Sequence, residues 1–414
     1  MRLAVATLLA WALTCTGAHA STVAVKPADA YGPARLDFFA VAGERNDVQI
    51  DPGAQPQTVR VRDAVGLTPS GSCVAQDAQT AICPAVEFLH IELGDGDDRL
   101  GGSLRLLANV AGGDGDDELR FFSGLIEGGQ GADVISGWIV DGGPGDDVLE
   151  AKTLRYSDRT EPVTVDLVAG VAGAPGEQDR VLPGVREVRT GFGPDVVRTG
   201  DGALQIDTGP GADTVIAGAG AIEVHGGDGD DTLTGGPGAD TLLGDDGDDR
   251  VEGGAGADVL SGWAGDDIVD GGPGADKLYG SSGRDLILAR DDSKDVVHCE
   301  SEVLAGDRAV LDASDVPRLC EFVERSGPQR LEPIVVFSDA GRRRLLVSCP
   351  PRARARACTG TVRVGGDRAR AFTVEPGKRV RIRVYPRRGH HRYPITLALR
   401  SGHTQRVTLD AVVR

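Results

Sequence analysis

A nine-residue repeat between residues 190 and 288 constrains the fold more than any other feature of the chain. Eleven units follow one another without a gap, and the fourth position of each is glycine. The eighth position is always aliphatic: Val197, Ile206, Val215, Val224, Leu233, Leu242, Val251, Leu260, Val269, Leu278 and Ile287. Nine is not a helical period, whereas a six-residue turn followed by a three-residue strand needs glycines and one inward apolar residue. Two units therefore predict one 18-residue turn of a flattened, right-handed solenoid with parallel sheets on two faces.

Aspartate occupies the sixth position of nine of the eleven units, and Leu204 and Ile222 occupy it in the other two. In most proteins such acidic residues form a solvated surface. In a stack of turns they lie close to one another, and this arrangement needs a cation between the turns. Calcium accepts six to eight oxygens in flexible geometry, whereas magnesium demands a tighter octahedron and zinc prefers nitrogen or sulfur. The pattern therefore favours several bound calcium ions.

The units GGDGDDTLT, GGPGADTLL, GGAGADVLS and GGPGADKLY resemble the Gly-Gly-x-Gly-x-Asp-x-aliphatic-x nonapeptide of hemolysin-type (RTX) calcium-binding proteins. The resemblance implies a right-handed parallel β-roll, calcium held between turns on the same edge, and folding driven by extracellular calcium. Residues 153–184 resemble an insertion common in secreted, actinobacterial members of that family.

Four earlier units begin at Leu93, Gly112, Gly128 and Gly142, about one turn apart, so this part of the chain should have one calcium edge and one plain edge. The predicted metal ligands of the first edge, edge A, are Asp98, Asp117, Asp133, Asp147, Asp195, Asp213, Asp231, Asp249, Asp267 and Asp285. Those of edge B are Asp240, Asp258 and Asp276. A site between Asp147 and Asp195 stays open, because residues 151–189 intervene. Acids at the fifth position are expected to face solvent as supporting charges: Asp116, Asp146, Asp230, Asp248 and Asp266.

The N-terminus and the cysteines predict an exported protein. Residues 1–20 combine a basic Arg2, an apolar centre and a small-x-small ending, which predicts a signal peptide cleaved before Ser21. A lipid anchor at Cys15 is the alternative, and Thr14 fits it poorly. The six remaining cysteines form three local pairs, Cys73 with Cys83, Cys299 with Cys320, and Cys349 with Cys358, which favours disulfides over a metal cluster. We expect a secreted protein, extracellular or at the cell surface, with no transmembrane segment in the mature chain.

Charge separates the C-terminal part from the rest. Residues 1–324 contain 23 Lys and Arg against 58 Asp and Glu, whereas residues 325–414 contain 21 against 5. Alternating strands in residues 326–414 predict a small immunoglobulin-like β-sandwich. Its arginines would bind an anionic cell-wall polymer or glycan, or would form only a solvated basic surface. No nucleic-acid partner is expected.

The predicted organisation is all-β. Its segments are a signal peptide at 1–20, an N-terminal β cap at 21–92, a first β-roll segment at 93–150, an insertion at 151–189, the main β-roll array at 190–288, a C-terminal cap at 289–325 and the basic β-sandwich domain at 326–414.

No motif predicts a catalytic site. HExxH and GxSxG are absent, so no catalytic residue and no organic cofactor is predicted. The leading interpretation is a calcium-binding extracellular structural or interaction module rather than an enzyme. The alternatives are an adhesin and a calcium-dependent polysaccharide lyase or hydrolase that uses Arg155 or Arg159. Trp138 and Trp263 lie near turn positions usually taken by glycine and either pack on a neighbouring turn or stay exposed for carbohydrate.

Overall fold

The computed structural model describes residues 20–28, 33–55, 57–300, 307–312, 314–320 and 322–325, and seven strand segments after residue 335. Residues 1–19 of the predicted signal peptide and Cys349 of the third predicted disulfide lie outside the described residues. The described part contains strands, turns and bends but no helix, and hence no helix long and apolar enough to cross a membrane. The chain forms two compact units, Met1–Lys152 and Thr153–Arg414.

The first unit is built from short strands. They are β1 (Ser21–Lys26), β2 (Arg35–Phe39), β3 (Asp47–Pro52), β4 (Thr58–Asp63), β5 (Leu67–Ser70), β6 (Val74–Ala75), β7 (Thr80–Pro84), β8 (Phe88–Asp95), β9 (Arg99–Gly102), β10 (Leu107–Asp114), β11 (Glu118–Arg120), β12 (Gly124–Gln130), β13 (Val134–Ser136), β14 (Ile139–Asp141) and β15 (Val148–Glu150).

Strands β8 to β15 alternate between two parallel sheets and form four solenoid turns of the described residues. On one sheet β8, β10, β12 and β14 stack in register, so that Ile91, Val110, Ile126 and Val140 form one inward column. On the other, Leu100, Leu119, Ile135 and Leu149 form the second column. All eight side chains are buried, and full burial of each stabilises the fold by about 1.5–3 kcal/mol.

Residues 21–84 extend both sheets at the N-terminal end. Strand β2 pairs in parallel with β8, and β3 pairs in parallel with β9. Beyond them β1 pairs antiparallel with β2 and in parallel with β5. Antiparallel pairs join β3 to β4, β4 to β7, and β7 to β6. A disulfide joins Cys73 to Cys83 across Cα atoms 4.2 Å apart, as predicted.

The second unit repeats the same two-sheet plan. Its strands to residue 325 are β16 (Thr153–Arg155), β17 (Thr164–Asp166), β18 (Val171–Gly173), β19 (Asp179–Val181), β20 (Glu187–Arg189), β21 (Val196–Arg198), β22 (Leu204–Asp207), β23 (Thr214–Ile216), β24 (Ile222–Asp228), β25 (Thr232–Thr234), β26 (Thr241–Asp246), β27 (Arg250–Glu252), β28 (Val259–Ala264), β29 (Ile268–Asp270), β30 (Lys277–Ser282), β31 (Leu286–Ala289), β32 (Val296–Glu300), β33 (Arg308–Leu311), β34 (Val316–Arg318) and β35 (Phe322–Arg325).

The 18-residue period predicted from the sequence is confirmed. One parallel sheet aligns Val197 with Val215 and onward to Ile287, and the other aligns Ile206 with Val224 and onward to Leu278. The eleven eighth-position side chains are at most 1% exposed, and Leu204 and Ile222 are buried next to them. The predicted parallel β-solenoid is therefore correct.

Glycine is required in the turns because successive turns approach closely. Gly229, at the fourth position of its unit, has φ +131, a region that side-chain-bearing residues rarely adopt. A Cβ atom placed there would lie only 1.5 Å from the carbonyl oxygen of Gly211 in the preceding turn. The glycine content therefore reflects the tight stacking of backbones.

Residues 151–189, predicted as an insertion, divide into two parts in the structure. Strand β16 pairs in parallel with β20 on one sheet, and β17 pairs in parallel with β21 on the other, as the strands of a solenoid turn do. Strands β18 and β19 instead form antiparallel pairs that extend from β17. Residues 167–186 are therefore the part that departs from the repeat.

Near residue 300 a second disulfide joins Cys299 to Cys320 across Cα atoms 4.9 Å apart, as predicted. After residue 335 the described strands are β36 (Val336–Phe337), β37 (Arg344–Ser348), β38 (Cys358–Val364), β39 (Arg370–Val374), β40 (Arg379–Arg383), β41 (Gly389–Leu399) and β42 (Thr404–Val413). They pair antiparallel in the orders β36-β37-β40 and β39-β38-β41-β42. The immunoglobulin-like sandwich stays a prediction.

Candidate metal sites

All thirteen aspartates predicted as metal ligands are buried, each at most 2% exposed. The structure arranges them in three series, which we call ladders. The Asp98 ladder, in the first unit, comprises Asp98, Asp117, Asp133 and Asp147. The Asp195 ladder, in the second unit, comprises Asp195, Asp213, Asp231, Asp249, Asp267, Asp285 and Asp307. The Asp240 ladder, also in the second unit, comprises Asp240, Asp258, Asp276, Asp295 and Asp315.

One hydrogen bond defines every step of a ladder. The backbone N–H of each aspartate donates to Oδ1 of the aspartate in the following turn, with N–O distances of 2.7 to 3.2 Å. The first aspartate of each ladder accepts its hydrogen bond from a residue of another type. The backbone N–H of Asn46 donates to Asp98, that of Val163 to Asp195, and that of Ile222 to Asp240. The turns containing Leu204 and Ile222 therefore precede the Asp240 ladder on the same edge.

The second carboxylate oxygen is the unusual atom of the site. In nine buried aspartates Oδ2 has no hydrogen-bond partner: Asp98, Asp117, Asp213, Asp231, Asp249, Asp258, Asp267, Asp276 and Asp295. Two others do have one, since Gly191 N–H donates to Asp195 and Gly236 N–H donates to Asp240. A buried acceptor without a partner costs about 1–3 kcal/mol, and more when it is charged. Nine such oxygens in regular register indicate a missing positive partner.

Glycine at the first position of a unit leaves the space next to that oxygen open. A Cβ atom at Gly226 would lie 2.3 Å from Asp231 Oδ2 and 2.6 Å from the carbonyl oxygen of Gly244 in the next turn. At Gly253 the corresponding distances, to Asp258 Oδ2 and to the Gly271 carbonyl oxygen, are both 2.6 Å. A carboxylate and a carbonyl thus converge on one space between consecutive turns.

This donor set fits calcium. The converging atoms are carboxylate and carbonyl oxygens, which calcium prefers, and they include none of the nitrogen or sulfur that zinc takes. Within the described residues no three His, Cys, Asp or Glu side chains cluster closely enough to hold a metal by side chains alone. A bound ion would therefore depend on backbone carbonyls, as the sequence pattern of glycine turns predicts.

Burial perturbs the ladder carboxylates electrostatically. Loss of solvent, reinforced by the neighbouring ladder aspartates, raises the pKa of Asp117, Asp231, Asp267 and Asp276 to about 7. It raises the pKa of Asp98, Asp213 and Asp249 to about 6. Each ionised carboxylate in the stack is therefore unfavourable unless a cation neutralises it.

The acids at the fifth position, Asp116, Asp146, Asp230, Asp248 and Asp266, are exposed, in agreement with the solvent-facing role expected of them. Some also link turns, since Asp248 N–H donates to Asp230 Oδ1 at 2.9 Å and Asp266 N–H donates to Asp248 Oδ1 at 2.7 Å. They add negative charge around the ladders without entering them.

Three ladder residues escape the sequence pattern: Asp295, Asp307 and Asp315. The pattern also misses Asn46, whose amide donates to the first residue of the Asp98 ladder. Asp295 and Asp307 stand two residues before the buried Val297 and Ala309, which is the spacing of the sixth and eighth repeat positions. Without the flanking glycines that spacing alone is too common to identify a repeat.

In residues 151–189, where the enzyme alternative places its catalytic arginines, both arginines form ion pairs. Arg155 pairs with Asp158 at 2.6 Å, and Arg159 makes two 3.2 Å bonds to Glu177. A cavity of about 480 Å³ lies between residues 167–185 and 199–204, and Arg180 is the only ionisable residue that lines it within the described chain. Trp138 and Trp263 are each 55% exposed.

The family model for the RTX calcium-binding nonapeptide repeat (4 copies) matches residues 124–149, 189–221 and, in three overlapping matches, 225–287. These segments are similar to RTX calcium-binding nonapeptide repeats. The matched segments contain eleven of the sixteen ladder aspartates, and Asp98, Asp117, Asp295, Asp307 and Asp315 lie outside them. No curated protein matches the chain.

Proposed function

We propose that the protein is a secreted calcium-binding β-solenoid that folds when calcium is bound and serves as an extracellular structural or interaction module. The observation that carries this proposal is the regular series of buried, unpartnered Oδ2 atoms beside the carbonyls of the next turn. The RTX repeat match and the two disulfides also support it.

The ladder aspartates named above and the first-position carbonyls would hold the ions. Bound calcium would supply positive charge between turns and would hold consecutive glycine turns together. The chain's own residues set the register, because each ladder Oδ1 accepts an amide hydrogen bond, and in the nine aspartates named above Oδ2 has no hydrogen-bond partner and can bind a metal. The proposed right-handed sense is that of nearly all parallel crossover connections.

Circular dichroism tests calcium-dependent folding. We expect strong strand signal in millimolar calcium and loss of that signal in chelator, and equal spectra would overturn the proposal. Native mass spectrometry should count about ten calcium ions, one between neighbouring aspartates of each predicted edge. Asp231→Asn should bind fewer ions, and the exposed neighbour substitution Asp230→Asn should match the unsubstituted protein.

We further propose that residues 21–92 and 289–325 cover the ends of the solenoid and that residues 326–414 bind an anionic cell-wall polymer or glycan. The antiparallel strands at the N-terminal end and the Cys299–Cys320 disulfide support the first statement. The excess of 21 basic over 5 acidic residues after residue 324 supports the second. Salt-sensitive co-sedimentation of the full chain with a purified anionic wall polymer tests it, and equal sedimentation with a neutral polymer would contradict it.

A further inference from the structure

The Asp240 ladder continues beyond the last RTX match at residue 287. Strand β32 pairs in parallel with β30, and β34 pairs in parallel with β32. Asp276 N–H donates to Asp295 Oδ1 at 2.8 Å, and Asp295 N–H donates to Asp315 Oδ1 at 3.2 Å. Two further turns thus keep the ladder geometry although residues 290–298, RDDSKDVVH, contain no glycine.

In these turns side-chain hydrogen bonds stabilise the conformation that glycine residues permit in the repeats. Asp291 accepts hydrogen bonds from Gly274 N–H at 2.6 Å and from Ser293 N–H at 2.8 Å. In the next turn Asp312 Oδ1 accepts the N–H of Ser314 at 2.8 Å, and the Ser314 hydroxyl donates to the Ser293 carbonyl. Asp291 and Asp312 are therefore engaged in shaping the turns.

Asp295 is not engaged in this way. Its side chain is fully buried, its Oδ1 accepts the Asp276 amide, and its Oδ2 has no partner. Oδ2 of Asp276, in the preceding turn, is equally buried and also has no partner. The charges acting on Asp295 are those of three further carboxylates, Asp291, Asp312 and Asp315. Two unpartnered oxygens therefore lie in successive turns within a strongly negative region.

We propose that Asp276 and Asp295 hold an additional divalent cation, most suitably calcium, at a site that joins the last RTX unit of the Asp240 ladder to the turn after it. Hard oxygen donors on two adjacent turns are what calcium takes in flexible coordination. The inference rests on the proposed function, because calcium must first order the turns that carry Asp276. It goes beyond that function because one of the two turns, residues 290–298, has no Gly-Gly-x-Gly sequence.

Native mass spectrometry of three single variants of the full chain tests the site in millimolar calcium. Asp295→Asn keeps the shape and the Oδ1 acceptor, so it should fold and bind one ion fewer than the unsubstituted protein. Asp292→Asn, in the same turn, is the matched control and should bind the full number. Asp258→Asn, within the RTX repeats, should lose an ion if the proposed function is correct.

The outcomes separate the two proposals. A full ion count in Asp295→Asn, together with a loss in Asp258→Asn, overturns the additional site and leaves the proposed function standing. A full count in Asp258→Asn contradicts the proposed function itself. If Asp295→Asn does not fold, anomalous diffraction from crystals of the unsubstituted protein grown with calcium decides. A peak about 2.3–2.6 Å from Asp295 Oδ2 supports the site, and absence of a peak there overturns it.

Discussion

Glycine and aspartate act as a pair within each repeat. The first-position glycine leaves room for the Oδ2 atom of its own repeat and for a carbonyl oxygen of the next turn, as at Gly244, where a Cβ atom would lie 2.1 Å from Asp249 Oδ2. The sixth-position aspartate fills one side of that space. The two residues therefore define one chemical unit, although four residues separate them in the chain.

Gly244→Ala tests this space directly, because Gly244 is not in the left-handed region and the added methyl group introduces only a clash. We expect it to lower the free energy of unfolding in calcium by about 1–3 kcal/mol. Gly202→Ala is the matched control, since a Cβ atom at Gly202 meets nothing within 4 Å, and its effect should stay within about 0.5 kcal/mol. Urea titrations in millimolar calcium measure both, and equal midpoints would contradict the pairing.

Sequence alone predicts the burial of these aspartates because their position relative to an inward aliphatic residue is fixed. It does not predict the hydrogen bond between each amide and the carboxylate of the following turn. That contact joins residues about 18 apart, and it depends on how the two turns stack, which neither residue determines by itself. For the same reason Asp295 and Asp307 are recognised as ladder residues only from the structure. Their strand register and hydrogen bonds identify them, although the flanking glycines of the repeat are absent.

At the scale of the element, the turns of the Asp195 ladder share one conformational requirement. The second position has positive φ in Gly227, Asp245, Trp263 and Ser281, which align with one another in consecutive turns. Trp263, with φ +81, is the bulkiest of these side chains. The turn conformation is therefore imposed by stacking rather than by the residue that occupies it.

Replacing Trp263 by glycine should relieve that strain. We expect Trp263→Gly to raise the free energy of unfolding in calcium by about 1 kcal/mol, because a left-handed conformation costs a non-glycine residue roughly 1–2 kcal/mol. Trp138 is equally exposed but has no positive φ. Trp138→Gly should therefore lower the free energy of unfolding by about 1 kcal/mol, because glycine gives the unfolded chain more conformational freedom. Thermal unfolding of both variants provides the measurement, and destabilisation by Trp263→Gly would show that its ring packs usefully.

Elements without glycine turns were harder to predict. Residues 153–166 supply β16 and β17 to the two sheets, yet their sequence contains no nonapeptide, so the segment looked like part of an insertion. Buried contacts explain the turn's shape, since Tyr156 donates from its hydroxyl to Asp179 at 2.6 Å. Such a contact depends on two distant residues meeting, and no period in the chain indicates it.

At the scale of the whole molecule, the ladders concentrate negative charge in a chain whose net charge is already −19. In most repeat turns each strand adds one aliphatic side chain to the core, so little hydrophobic burial is available to offset charge repulsion. Stability should therefore depend on whatever neutralises the carboxylates, and protons can do so as well as metal ions.

In chelator the protein should be more stable in mild acid than at neutral pH. Burial raises the pKa of Asp117, Asp231, Asp267 and Asp276 to about 7 in the folded state, above the ordinary value of 3.8, so the folded state binds more protons between those limits. The free energy of unfolding without calcium should then fall as pH rises from about 4 to about 7. Circular dichroism spectra in chelator at about pH 5 and about pH 7.5 test this, and a weaker strand signal at the acidic pH would contradict it.

Calcium should reverse this trend in part, because protons compete with the ion for the same carboxylates. The stabilisation that calcium adds should be smaller at about pH 5 than at about pH 7.5. The same spectra recorded in millimolar calcium provide the comparison, and a larger calcium-induced gain of strand signal in acid would contradict it.

Each ladder has a direction, since every amide donates toward the following turn and never toward the preceding one. The array therefore has unlike ends and an internal unit of length. Gain or loss of 18 residues would leave every donor matched to an acceptor, whereas gain or loss of nine would transfer all later aspartates to the opposite edge. Genetic change could lengthen or shorten such a solenoid only in whole turns, and its length would then vary in discrete steps of one strand spacing, about 4.8 Å.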